Sequence, residues 1–298
     1  MCATQKENSD ELYSKALQAS YKIYAPVLPD TLDFAGERVP MQTYYVRECL
    51  DRELMVNMYW QSNMLLWMKR AGRFFPTIEK ILKEEGVPED FKYLCVIESG
   101  LSNVTSPAKA SGYWQFLKST GTNYGLEIND EIDMRWDIEA STHAACHYLK
   151  SAYRRFGSWT SAAASYNCGE AGLDSRLKKQ SVESYYDVRL NQETTRYVYR
   201  ILAVKLIMQN PQRYGFYLRR CDLYPAIATE TRELSGKNVD LYQWCRNEGV
   251  TYKMLRELNP WLQTETLVNR NGKTYQVKVP KEKALFTRNK NTELVDHL

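Results

Sequence analysis

No stretch of this chain holds the roughly 18 consecutive apolar residues of a membrane-crossing helix, no two cysteines form a CxxC pair, and 298 residues contain only three histidines. The first absence excludes a transmembrane helix. The other two argue against a zinc site, so neither a metal nor a cofactor is expected. The seven cysteines (Cys2, Cys49, Cys95, Cys146, Cys168, Cys221 and Cys245) are odd in number, which argues against a full disulfide framework. Cys95 and Cys146 fall on apolar faces and read as buried thiols that act as small hydrophobes. An excess of one charge is also missing. Forty Lys and Arg against 36 Asp and Glu leave a net charge of +4. That excludes the dense basic surface of a nucleic-acid binder and suits a weak attraction to an anionic polymer. Internal repeats, low-complexity segments and a secretory leader pattern are absent as well.

What is present is apolar and aromatic content, 44% hydrophobic residues with 22 Tyr and 7 Trp, enough for a sizeable core. Residues 1–36 are polar, with a short helical pattern over residues 11–24, and form a tether. From Val39 the pattern turns helical: Val46, Leu50, Leu54, Met58, Leu65 and Met68 recur at steps close to three and four. Gly72 interrupts it, Pro76 opens a helix that runs to Glu85, and Gly86 caps that helix. Pro88 opens the next one, which carries Glu98 near its end. Thr142 to Phe156 is strongly amphipathic, with Ser141 or Thr142 as N-cap. Trp159–Tyr166 is small and apolar, as a central helix should be, and a long helix spans 191–209 before Pro211. Residues 37–218 therefore read as an all-α domain. A strand entry over 222–229, short helices at 239–245 and 252–258, and an alternating strand at 273–280 make residues 219–282 a small α/β unit of βααβ order. A polar tail, 283–298, follows. The fold class is mainly α with a small α/β appendage.

The chemistry concentrates in three short motifs. Tyr93-Leu94-Cys95-Val96-Ile97 is an apolar run that delivers Glu98, followed by Ser99-Gly100-Leu101. A carboxylic acid among apolar neighbours stays protonated near neutral pH and can protonate a leaving oxygen. Gly112-Tyr113-Trp114-Gln115-Phe116 supplies a glycine turn, aromatics and one amide, and Ser165-Tyr166-Asn167-Cys168-Gly169 supplies more of the same. Flat apolar faces with amides suit a sugar's rings, hydroxyls and acetamido groups.

In this order the three motifs resemble the family 1 lytic transglycosylases, whose fold is similar to goose-type lysozyme. The flanking stretches Arg70–Pro76, Glu84–Asp90 and Asn191–Val198 resemble a membrane-bound, murein-cleaving branch of that family, over roughly residues 40–217. The resemblance implies an enzyme that cleaves peptidoglycan glycan strands between N-acetylmuramic acid and N-acetylglucosamine without consuming water. It implies Glu98 as the single acid, then base. It also implies substrate contacts from Ser99, Gln115, Tyr166, Asn167 and Tyr113, the last in place of the more usual Leu. Tyr197 would orient Glu98, and Glu193 would be a second, non-catalytic carboxylate. Trp114 and Phe116 read as core. Asp130, Asp133, Arg135, Asp137 and Glu139 read as a solvated or ion-paired loop rather than as a second catalytic pair. Residues 219–282, with Leu258-Asn259-Pro260-Trp261 and a terminal Val-Pro, resemble a divergent LysM glycan-binding module; packing on the catalytic half is the other reading of that unit.

Two further readings stay open: a hydrolase on the same fold, in which water attacks, and a glycan-binding protein without catalysis. The resemblance implies a place in the periplasm or cell envelope of a Gram-negative bacterium. Cys2 near the start is read as the acylated cysteine of an outer-membrane lipoprotein, with Met1 as a start residue. A monomer is the default.

Overall fold

The computed structural model describes residues 15, 23–281 and 290–298. Cys2 and nearly all of the expected helix at 11–24 lie outside the described residues. Helices α1 (Tyr44–Tyr59), α2 (Gln61–Glu84), α3 (Phe91–Ser99), α4 (Lys118–Asn123), α5 (Ile138–Phe156), α6 (Trp159–Cys168), α7 (Glu170–Gln180) and α8 (Gln192–Gln209) build the first part of the chain. Strands β1 (Asp33–Phe34) and β2 (Glu37–Arg38) precede them as a short hairpin. The class expected from the sequence, mainly α with a lysozyme-like helical half and a small α/β appendage, is the one observed.

α8 is the axis of this half. Val198, Ile201, Leu202, Ala203, Val204, Ile207 and Met208 on it are all fully buried. α1 lies along it with Val46, Leu50 and Leu54 inward. The one carboxylate in that seam, Glu53, is 1% exposed and receives Arg196 Nε at 2.6 Å, so the buried charge is paired. α6 reaches the centre because its inward residues are alanines. Ala162, Ala163 and Ala164 have no exposure, and small side chains let neighbouring helices approach closely. Its N-terminus is held by Glu37 of β2, which accepts from Trp159 N, Thr160 N and both the Ser158 and Thr160 hydroxyls. A carboxylate at a helix N-terminus satisfies donors that the helix itself cannot.

Several local expectations need correction. Gly72 and Pro76 do not divide two helices; both lie inside α2, and Pro76 is an internal residue of it. Proline removes one rung of the ladder, and the core on either side, Met64, Met68, Ala71, Phe75, Ile78 and Leu82, outweighs that loss. α5 begins at Ile138, not Thr142, because Asp137 is the N-cap and accepts from Ala140 N at 2.7 Å. The 283–298 tail is not wholly polar surface. Val295 is 1% exposed and bonds Leu218 O, Leu298 N bonds Met208 O, and the Tyr93 hydroxyl donates to Leu298 O. The apolar members of this segment were too few to show a period.

The second part of the chain has its own core of Leu234, Leu241, Cys245, Leu255, Trp261, Leu267 and Val277. β3 (Thr229–Leu234) pairs antiparallel with β6 (Tyr275–Pro280), enclosing α9 (Leu241–Glu248) and α10 (Tyr252–Leu258); β4 (Val239–Asp240) pairs with β5 (Thr266–Leu267). The strand expected at 222–229 begins only at Thr229. The residues before it pack on α2, where Tyr224 N bonds Lys69 O. This unit is seated on the 127–137 segment of the helical half: Asp133 N bonds Trp261 O, Gln263 N bonds Glu131 O, and Ile132 enters its core. No helix among the described residues is long and apolar enough to cross a membrane.

Candidate active site

α3 delivers Glu98. Every residue from Phe91 to Ile97 is buried, so the helix is fixed by packing on all sides, and Glu98 at its last turn is the first to reach partial exposure. Gly100 closes the helix in the left-handed conformation, φ +61°. A Cβ there would lie 2.3 Å from Trp67 Nε1, so no other residue fits. Arg70 of α2 then holds the turn by donating to Gly100 O at 2.9 Å.

The Glu98 carboxylate accepts a short hydrogen bond from the Tyr197 hydroxyl. Burial pushes the pKa of Glu98 up to about 7. The Tyr197 hydrogen bond and the positive charge of Arg200 oppose that rise, and the negative charge of Glu193 adds to it. A carboxyl poised near neutrality can give up a proton and take one back in a single cycle. Tyr197 sits on the buried face of α8, where burial first and then the Glu98 charge raise its own pKa well above the ordinary tyrosine value. It therefore donates as a neutral phenol.

The Gly112 turn makes the next wall. Gly112 has φ +82°, and a Cβ on it would fall 1.8 Å from Arg135 O. Arg135 is itself buried, paired with Asp133 at 2.6 Å and donating to Phe116 O and Lys109 O, so it cannot yield. Gln115 is held at φ +51°, its Nε2 donating to Val104 O and Gly112 O at 2.9 and 2.8 Å. Its Oε1 has no partner among the described residues. A non-glycine residue in the left-handed region costs energy and marks a place where geometry overrides comfort. Asp133 and Asp137 of the charged cluster serve as helix caps. Trp114 and Phe116 are core, Trp114 Nε1 donating to Thr142 Oγ1.

α6 brings Tyr166 and Asn167 to the same place. The Tyr166 hydroxyl donates to Trp114 O at 2.8 Å, and its ring meets Tyr148 at 5.0 Å and Phe116 at 5.8 Å. Asn167 Oδ1 accepts from Thr194 Oγ1 at 2.8 Å, and its Nδ2 approaches Glu193 at 3.4 Å. Glu193 stands exposed in the first turn of α8.

Glu98, Tyr197, Tyr166, Asn167 and Glu193 are thus linked by contacts or charge, with Gln115 on the adjoining loop. Two expected members differ. Ser99 Oγ bonds back to Cys95 O within its own helix. Tyr113 is buried against Phe74 of α2, with ring centroids 5.1 Å apart, and its carbonyl faces the Cys95 thiol. Arg200, Arg70 and Thr194 were missed by sequence reasoning. Arg200 was findable, since it follows Tyr197 by one helical turn.

A helical half carrying one poised carboxyl among aromatics and amides, joined to a βααβ module, is the class defined so far. Residues 75–188 match the family described as the transglycosylase SLT domain, and residues 230–283 match the soluble lytic transglycosylase C-terminal LysM-like domain. The chain carries an SLT domain followed by a LysM-like domain of that kind. It is 32% identical over 221 residues to membrane-bound lytic murein transglycosylase D of Escherichia coli strain K12, a match spanning 72% of this chain and 48% of that protein. The same protein of Escherichia coli O6:H1 matches equally. A putative tributyltin chloride resistance protein of an Alteromonas strain is 30% identical over 110 residues, 36% of this chain and 53% of that one. The chain spans about half the length of the curated relatives it matches.

Proposed function

We propose that this chain is a peptidoglycan lytic transglycosylase of the cell envelope, with Glu98 as its only acid and base. The observation that carries this reading is the Glu98 carboxyl itself, buried to a pKa of about 7 and fixed by Tyr197. In the proposed cycle protonated Glu98 gives its proton to the oxygen linking N-acetylmuramic acid to N-acetylglucosamine. The C1–O bond breaks. The carboxylate, now charged, takes the proton of the C6 hydroxyl on the same muramoyl ring, whose oxygen closes on C1 as a 1,6-anhydro bridge. The nucleophile belongs to the substrate, so reaction benefits from intramolecular proximity and no second carboxylate is required.

Tyr197 and Arg200 stabilise the charged form of Glu98 after the first transfer and keep its pKa from rising further. Gln115 Oε1 is the free amide acceptor for a sugar N–H or hydroxyl. Asn167, its carbonyl engaged by Thr194, turns its amide N–H toward the open side beside Glu193 and suits an acetamido carbonyl. Tyr166 lines the floor. Ser99 and Tyr113 shape the site from behind rather than touching substrate. The charge of Glu193 adjusts Glu98 and makes no bond to it.

The test is digestion of purified peptidoglycan by this chain and by its Glu98→Gln variant, with mass spectrometry of the products. Fragments lighter by one water than their hydrolysed counterparts, made by the parent chain and lost in the variant, are the expected result. Reducing-end fragments would assign it to the hydrolases. No fragments from either protein would remove the catalytic reading.

A further inference from the structure

The LysM-like module is fixed to the helical half by more than the chain that joins them. Ile132, 1% exposed, belongs to the module's core and bridges Leu262. On either side of it Gln263 N bonds Glu131 O at 2.8 Å and Asp133 N bonds Trp261 O at 2.9 Å. Carboxylates complete the seat. Glu131 accepts from Asn269 N at 3.1 Å, and Glu127 accepts from the Tyr275 hydroxyl at 3.1 Å and from Lys273 Nζ at 3.0 Å. Domains joined by a tether alone share few contacts. Here an apolar plug with backbone bonds on both flanks sets the position of residues 131–133.

The same segment also holds the candidate active site. Asp133, whose N–H the module engages, pairs its carboxylate with Arg135, accepting from Nε at 2.9 Å and from Nη2 at 2.6 Å. Both residues are buried, and a bidentate pair of this kind is a rigid fork. Arg135 Nη1 then donates to Phe116 O at 3.0 Å and Lys109 O at 3.2 Å, one on each side of the Gly112 turn. Arg135 O fills the space where a Gly112 side chain would stand. Gln115, next to Phe116, has a φ of +51°. A non-glycine residue persists in that region only where its surroundings hold it there. Trp261 of the module is thus connected to Phe116, the neighbour of Gln115, through Asp133 and Arg135, by hydrogen bonds none longer than 3.0 Å.

We propose that the LysM-like module positions Gln115. By gripping Ile132 and Asp133 it sets Arg135, and Arg135 sets the turn that presents the Gln115 amide. Asp133 and Arg135 are positioning residues, and Ile132 is the plug through which the module acts on them. The consequence for cleavage rests on the reading of this chain as a lytic transglycosylase; the coupling between module and turn does not.

The experiment measures amide hydrogen exchange and peptidoglycan digestion on the full chain and two seat variants. Ile132→Ala shortens the plug. Glu127→Ala with Glu131→Ala strips the carboxylates and leaves the module's core intact, so it covers the case in which the first variant folds poorly. In both, the amides of 104–117, which include Ser111 N bonded to Phe116 O and Gly112 N bonded to Val104 O, should exchange about tenfold faster or more, while those of α1 and α8 keep the parent rates. Ile132→Val, which keeps the plug, should restore slow exchange. Release of anhydro fragments should fall several-fold in Ile132→Ala. In a Gln115→Ala background the same substitution should cost nothing further, because both act through one amide. An unmoved 104–117 turn, acceleration spread equally over α1 and α8, or losses that multiply in the double variant would each overturn the proposal. Fragments from the parent chain with an unmoved turn sink the coupling alone, and a loosened turn without fragments from the parent sinks the lytic reading alone.

Discussion

Side-chain amides do opposite things in the two halves of this molecule. In the LysM-like module Asn259 is fully buried and fully satisfied. Its Nδ2 donates to Leu255 O and Lys278 O, and its Oδ1 accepts from Lys278 N, all within 2.8 Å. Asn269 repeats the arrangement with Gly236 O, Lys273 O and Lys273 N. Each is a staple that stands in for backbone hydrogen bonding in a loop. In the helical half Gln115 and Asn167 hold their geometry with part of their capacity and leave the rest open. A saturated amide fixes a fold, and an unsaturated one on a rigid element is available to a ligand.

The contrast breaks most sharply at Glu98. Removing a positioned general acid and base, the role proposed for Glu98, costs roughly 10²–10⁴-fold, so Glu98→Gln should abolish measurable release of anhydro fragments. Asn167→Leu should lower that activity by tens of fold and change the unfolding free energy by less than about 1 kcal/mol. Asn259→Leu should do the reverse. It strands Lys278 N and Lys278 O, while Leu255 O keeps the Asn259 backbone N–H; two unpaired groups at about 1–3 kcal/mol each make a loss of about 3 kcal/mol. Denaturant titration beside a lysis assay measures both. Equal stability losses in the two variants would dissolve the distinction.

Stability against pH sharpens the same point, because a site residue is held where the fold alone would not hold it. Glu98 has a folded pKa near 7 against an ordinary value of 4.5. The folded state therefore binds this proton more tightly than the unfolded chain does. Stability is highest below about pH 4.5 and falls as pH rises through 7, by up to about 3 kcal/mol. Glu98→Gln removes that dependence. The variant should be more stable than the parent at pH 8 and nearly equal to it at pH 4.5, as melts across that range would record. A variant less stable at pH 8 would mean that Glu98 is a structural ion rather than a strained acid. Tyr197→Phe should act in the other direction on the acid itself. Losing a hydrogen bond to the charged form raises the Glu98 pKa, so the pH profile of cleavage should move upward by about one unit.

Much of this was legible in the sequence, and the reasons differ by element. The apolar run before Glu98 announced a buried helix with an acid at its open end, and that arrangement is what the structure holds. The βααβ order was readable because turn residues and alternation separate its elements. The helix from Gln61 to Glu84 was not, since Gly72 and Pro76 are local signals and the core that overrides them is assembled from distant segments. The bond from the Ser99 hydroxyl to Cys95 O was hidden for a related reason. A serine at the end of a helix has a backbone carbonyl within reach, and a sequence does not show that the hydroxyl is already engaged. Arg200, whose charge acts on Glu98, required only one more helical turn from Tyr197. The link from the module to the Gln115 turn was invisible, because Trp261 and Gln115 are far apart in the chain.

The smallest expected effect lies far from the candidate active site and tests the structural side of the comparison. Glu85, just past α2, is met by Lys150, by His143 at 2.8 Å and by His147 at 3.7 Å, all on one stripe of α5. The Lys150 hydrogen bond first, then that of His143, hold its pKa down to about 2, against the smaller opposing effect of burial. A depressed folded pKa contributes stability that is present above the ordinary value of 4.5 and is lost as pH falls toward 2. The histidine partners are about half exposed, so solvent screening reduces the contribution to about 1 kcal/mol. Glu85→Gln should therefore lower stability slightly at pH 6, with the gap to the parent closing below pH 4, and should leave cleavage of peptidoglycan unchanged. A gap as large at pH 2 as at pH 6 would show that Glu85 acts through packing between α2 and α5 rather than through its charge.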